Sequence, residues 1–104
     1  MQIFRDWEGR RIRLTEERLK HILEHPEMKN MIHAIEDALS SPEKIVQSLT
    51  DSQTRMYFRF YFGTMVGDKY LCVVVKIKSS DAFILTAYLT DKIKKGVLIW
   101  PKRI

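Results

Sequence analysis

The spacing of apolar residues changes once along this chain, at Pro42. Before it, apolar positions recur at helical intervals; after it, they alternate with period two. Thr15 opens the first predicted helix, with Glu16 and Glu17 where the positive end of the helix dipole favours acids, and Leu19, Ile22 and Leu23 at helical spacing. His25-Pro26-Glu27 makes a corner, because proline suits a first turn and disfavours helical geometry in the residue before it. Met28, Met31, Ile32, Ile35 and Leu39 then form the stripe of a second helix that ends by Ser40-Ser41-Pro42.

Four runs follow, at 45–50, 54–62, 70–78 and 82–90, separated by a hairpin loop at 63–68 and the turn Ser79-Ser80-Asp81. Connections this short predict antiparallel neighbours in a meander. Upstream, Glu8-Gly9 divides residues 3–14 into two short stretches that form either a hairpin or one strand and an arm. The prediction is a single α+β domain spanning 1–104, with two N-terminal helices packed on one face of a roughly four-stranded antiparallel sheet. Apolarity assigns Met56, Phe58, Phe60 and Phe62 to the helix side with Leu71, Val73, Val75, Ile77, Phe83, Leu85, Ala87 and Leu89. The opposite face then collects Arg55, Tyr57, Arg59, Tyr61, Tyr70, Lys76, Lys78, Thr86, Tyr88 and Thr90.

Composition adds limits. At 104 residues and 45% apolar the chain supports one core, and its single Cys72 forms no intrachain disulfide, which favours a reducing compartment. It has no apolar run near the ~20 residues of a membrane span and no signal-peptide pattern at its start, so a cytoplasmic protein without membrane contact is expected. Net charge is +2 over residues 1–14, −4 over 15–43, +3 over 44–90 and +4 over 91–104. Such a separation draws a polyanion to one side, and nucleic acid is the commonest polyanionic partner; alternatively, +5 is ordinary solubility charge.

The anticipated polar face offers cations for phosphates, rings for bases and hydroxyls for phosphate oxygens. Tyr and Thr are also good strand formers, so the same pattern fits a merely solvated face. Arg59, Lys78, Lys92 and Lys95 are the candidate RNA contacts, and the tail adds Lys94, Lys102 and Arg103. There is no Gly-rich phosphate loop, no Cys/His metal spacing and no carboxylate pair among the strands, so neither a metal nor another cofactor is expected. RNA can still be cut without metal, because its 2′-hydroxyl serves as nucleophile once a base takes the proton and cations stabilise the phosphorane. Among the histidines, His33 points to solvent, His25 sits where it either caps the second helix or acts as the base, and His21 points away from its helix's apolar stripe. Cys72 reads as a buried strand residue rather than a nucleophile.

The run Leu-Thr-Glu-Glu-Arg-Leu-Lys-His-Ile-Leu-Glu-His-Pro-Glu-Met at 14–28, Ser-Pro-Glu-Lys-Ile-Val at 41–46, Arg55-Met56-Tyr57, Val73-Val74-Val75-Lys76, Leu85-Thr86-Ala87-Tyr88 and Lys-Lys-Gly-Val-Leu-Ile-Trp at 94–100 resemble phage and bacterial members of the barnase, EndoU, colicin and RelE-like nuclease superfamily. The resemblance implies a metal-independent endoribonuclease, used as a toxin or effector and held in check by an antitoxin or immunity protein. It implies a site of His21, His25, Arg55, Tyr57, Lys76, Thr86 and Tyr88. A histidine would serve as base or acid, Arg55 and Lys76 would stabilise phosphate charge, Thr86 and Tyr88 would bond its oxygens, and Tyr57 would orient or stack a base. The alternative is a non-catalytic module of the same fold that binds RNA or protein. The sequence leaves oligomeric state open.

Overall fold

Residues 1–101 are described by a computed structural model. Helix α1 (Glu16–Leu23) starts as its spacing predicts, with the Thr15 hydroxyl accepting the Arg18 N–H at 3.2 Å. The Pro26 corner becomes a single 3-10 turn (Pro26–Met28), and helix α2 (Ile32–Ser40) follows. Met28, Met31, Ile35 and Leu39 are all buried, as their stripe requires.

The described residues form seven strands: β1 (Gln2–Arg5), β2 (Arg11–Leu14), β3 (Lys44–Gln47), β4 (Thr54–Thr64), β5 (Gly67–Ile77), β6 (Ala82–Thr90) and β7 (Val97–Trp100). They make one mixed sheet in the order β1-β2-β6-β5-β4-β3-β7, antiparallel except where β2 runs parallel to β6. The expectation of roughly four strands after two N-terminal helices is therefore corrected. Residues 3–14 contain a hairpin that precedes α1 and extends the sheet at one edge, while 97–100 extends it at the other. Four-residue strands at sheet edges carry too few alternations to announce themselves.

Both helices pack on one face. Ile22, Met28, Ala34, Ile35, Ala38 and Leu39 share a core with Ile12, Leu14, Ile45, Tyr57, Leu71, Val73, Val75, Ile84 and Ala87. A smaller cluster on the other face joins Val46, Met56, Phe58 and Cys72, with Ile93 from the β6–β7 loop packed on it.

The β5 parity is as predicted, but that of β4 is reversed. Cross-strand partners share a face, and β4 pairs Tyr57 with Val73 and Arg55 with Val75, whereas Met56 meets Val74 and Phe58 meets Cys72. Arg55, Tyr57, Arg59 and Tyr61 therefore lie on the helix side, and Met56, Phe58 and Phe60 on the other. Polar partners supplied by the helix layer and the β1–β2 loop explain the inversion. The Tyr57 hydroxyl donates to Asp6 Oδ2 at 2.8 Å, Tyr61 donates to the Ala34 carbonyl at 3.3 Å, and Arg59 donates to the Ser41 carbonyl at 2.7 Å. On β6 a bulge at Leu85 lets Val74 face Thr86 and Val75 face Ile84. Ile84 is thereby buried with the helices and Phe83 is turned to the other side, again opposite to the simple alternation.

Gly96 closes the approach of the β6–β7 loop to β3. A Cβ there would stand 2.3 Å from the Gln47 carbonyl oxygen and 2.5 Å from Val46 Cγ1, so a side chain must push backbone aside. Gly96→Ala is expected to destabilise the fold by about 1–3 kcal/mol, the usual overpacking range, read as a lowered midpoint in urea denaturation.

Candidate active site

The face away from the helices carries a cleft of about 420 Å3. It is lined by Met56, Val74, Thr86 and Tyr88 of the sheet, by Ser48, Leu49 and Thr50 of the β3–β4 turn with Thr54 at the start of β4, and by Lys94 and Lys95 of the β6–β7 loop. Thr86 and Tyr88 point the same way because they pair with Val74 and Cys72 on one side of the β5–β6 ladder.

Asp51 builds the turn wall. Its Oδ1 accepts the Gln53 N–H at 3.0 Å, its Oδ2 accepts the Thr54 hydroxyl at 2.9 Å, and Lys76 donates to the same Oδ2. The Lys76 ammonium, then the Gln53 N–H and the Thr54 hydroxyl, hold the Asp51 carboxyl down at about 2. Lys76, beside the cleft, is thus a paired cation rather than a free one. Lys94 and Lys95 are exposed.

Next to Tyr88, its cross-strand partner, burial pushes the Cys72 thiol up to about 12, although a hydrogen bond with Tyr88 works the other way. Burial also raises the Tyr88 phenol, with Cys72 adding to the effect, so both groups stay protonated at neutral pH. Cys72 is a fully buried neutral thiol and Tyr88 a hydroxyl that can donate a hydrogen bond.

The predicted residues divide between the two faces. Lys76, Thr86 and Tyr88 meet at or beside the cleft, Lys95 lines it, Lys92 stands exposed in the loop that carries it, and Lys78 stands over Phe83 on the same face. Arg55, Tyr57 and Arg59 are on the opposite face and hold structure there. The Arg55 Nη1 lies 3.6 Å from Glu8, and Tyr57 is fully buried with its phenol raised by burial and by Asp6. His21 and His25 belong to the helix layer, exposed, with Nδ1 atoms 3.3 Å from Glu24 and 3.8 Å from Glu27. The expected gathering of a histidine with Arg55 and Lys76 on one wall is corrected: the sheet lies between them. Lys102 and Arg103 lie outside the described residues.

Ser48, Thr50 and Thr54 of the cleft, and Asp51 that braces it, are the groups that the alternation count missed. Ser48, Thr50 and Asp51 sit in a turn, where period two assigns no face, and Thr54 is only a strand's first residue; the cluster Ser-Leu-Thr-Asp-Ser at 48–52 was the one sequence signal of that turn. Lys94 lines the cleft as one of the tail cations that the sequence offered. A second hollow, about 430 Å3, runs along α1 between Met1, Leu14, Leu19 and Leu23, with Glu16 and Lys20 at its rim, and presents no comparable set of cations and hydroxyls. No group of three or more metal-ligating side chains occurs among the described residues.

The charge pattern gains a direction in three dimensions. Residues 15–43, at net −4, hold both helices and cover one face, while Lys76, Lys78, Lys94 and Lys95 stand at the other.

A family model described as phage-Barnase-EndoU-ColicinE5/D-RelE like nuclease2 matches residues 1–101. No curated protein and no solved structure matches the chain.

The Asp51 anchor has a sign that can be measured. Because its folded value is depressed, the order it imposes on Lys76 and Thr54 is complete above the unfolded carboxyl value of roughly 4 and is lost as pH falls through about 2. NMR titration of the Asp51 carboxyl is expected to give a midpoint near 2 in the wild type and a return toward roughly 4 in Lys76→Met.

Proposed function

The chain belongs to the phage-Barnase-EndoU-ColicinE5/D-RelE like nuclease2 family, and on that premise we propose that it is a metal-independent endoribonuclease working at the cleft away from the helices. One observation carries this reading: Lys94 and Lys95 line one cleft together with Thr54, Thr86 and Tyr88, on the side opposite the acidic helix layer. Cations and hydroxyl donors converging on one hollow suit a phosphodiester whose charge grows in the transition state.

RNA is the substrate that supplies its own nucleophile. Its 2′-oxygen loses a proton to solvent hydroxide and forms a bond to phosphorus. The bond from phosphorus to the 5′-oxygen then breaks, and that oxygen takes a proton from a lysine ammonium of the cleft. The products are a 2′,3′-cyclic phosphate and a 5′-hydroxyl. Lys94 and Lys95 stabilise the phosphorane, Thr86 and Tyr88 donate to its oxygens, and Asp51 keeps Lys76 and Thr54 in place. The three histidines take no part: His21 and His25 stand in the helix layer and His33 is exposed on α2.

The lack of an imidazole beside the cleft favours a second reading, a non-catalytic module of the same fold that binds RNA or a protein. As a nuclease the chain would act as a toxin or effector, with an antitoxin or immunity protein as the partner that blocks the cleft.

Incubation with labelled RNA in EDTA separates the readings. The wild type and His21→Ala/His25→Ala are expected to cleave alike, while Lys94→Ala/Lys95→Ala loses about 100-fold or more, the scale on which a lost charge-stabilising donor acts. The rate should climb between about pH 5 and 8 without the inflection near 6.5 that an imidazole base imposes. Binding without cleavage supports the module; loss of cleavage in the histidine variant places the chemistry on the other face.

A further inference from the structure

The even positions of β4 continue past the cleft into an aromatic surface that the cleavage chemistry does not use. Thr54 and Met56 line the cleft, Phe58 is buried in the small cluster against which Ile93 packs, and Phe60 and then Phe62 follow toward the hairpin tip. Phe60 stands edge-on to Phe62 with centroids 5.0 Å apart and edge-on to Tyr70 of β5 at 4.9 Å. Phe62 is 81% exposed. A phenylalanine this open gains nothing from the core, and edge-on neighbours brace the rings while leaving a face free.

We infer that Phe60, Phe62 and Tyr70 form a stacking platform for unpaired bases of an RNA strand whose phosphate occupies the cleft, so that the substrate is single-stranded RNA. This rests on the cleft being the RNA site. Met56 and Phe60 are four residues apart, roughly 13 Å along a strand. That is at most about four nucleotides of a stacked strand at ~3.4 Å each. Cations suit the path: Lys44, which pairs with Phe58 and so shares its face, is exposed, and Lys92 is exposed in the intervening loop. A duplex keeps its base faces buried against each other and has none to offer the rings.

Phe62→Ala tests the platform at a side chain whose removal leaves the core intact. Anisotropy titrations with a single-stranded 2′-O-methyl oligoribonucleotide, which cannot be cut by 2′-hydroxyl attack, and with its blunt duplex give the readout. The wild type is expected to bind the single strand at least about five-fold more tightly than the duplex. Phe62→Ala should lose about five-fold or more with an unchanged salt slope, and Phe62→Trp should restore binding. Lys94→Ala/Lys95→Ala should weaken binding and flatten the salt slope.

Equal binding of strand and duplex, or unaltered affinity in Phe62→Ala while the lysine variant weakens, overturns the platform and leaves the cleft standing. Absence of any wild-type binding overturns both. Self-association of the wild type that Phe62→Ala abolishes, with RNA affinity unchanged, makes the hairpin a protein-docking surface and likewise overturns the inference.

Discussion

Asp6 is 4% exposed, the one charged side chain buried among the described residues, and it accepts four hydrogen bonds. Its Oδ1 takes the Glu8 and Arg10 N–H groups at 3.0 and 2.8 Å, and its Oδ2 takes the Arg10 guanidinium at 2.7 Å and the Tyr57 hydroxyl at 2.8 Å. A buried carboxylate without such partners would cost several kcal/mol, so the β1–β2 loop and β4 are bound to one arrangement. Because Tyr57 must reach Asp6 beneath the helices, every odd residue of β4 up to Tyr61 follows it there, and the even residues turn outward.

Two surfaces of different character result. The helix side buries the larger core and carries the acidic helices on its outside. The other side has only a small apolar cluster, which Ile93 covers and which seats the loop bearing Lys94 and Lys95. Gly96 lets that loop close against the Gln47 backbone, and Asp51 fixes the facing turn. The cleft walls are therefore held by backbone approach and a carboxylate anchor, leaving the exposed lysines free to meet a ligand.

Much of the fold was legible in the chain. The Thr15 cap, the stripe from Met28 to Leu39, and the pairing of Thr86 and Tyr88 with the outward side of β5 all followed from spacing. What misled on β4 was that both of its faces are rich in large side chains. Met56, Phe58, Phe60 and Phe62 are the more apolar set, but hydropathy ignores that Tyr57, Arg59 and Tyr61 each find a hydrogen-bond acceptor on the helix side. Asp6 and Tyr57 are 51 positions apart, a separation that no local period encodes. The same error drew Arg55 and Tyr57 into a site with Lys76. The resemblance of the chain to its nuclease family identified the family correctly and could not say how many strands the sheet has or which side of it each residue takes.

A working face opposite the helices is tested most directly by amide chemical-shift mapping of the full chain with a 2′-O-methyl oligoribonucleotide. Shifts concentrated at Ser48–Thr54, Thr86, Tyr88 and Lys92–Gly96, with α1 and α2 silent, are the predicted result. Shifts centred on His21, His25, Arg55 and Tyr57 would contradict it and return the site to the helix side.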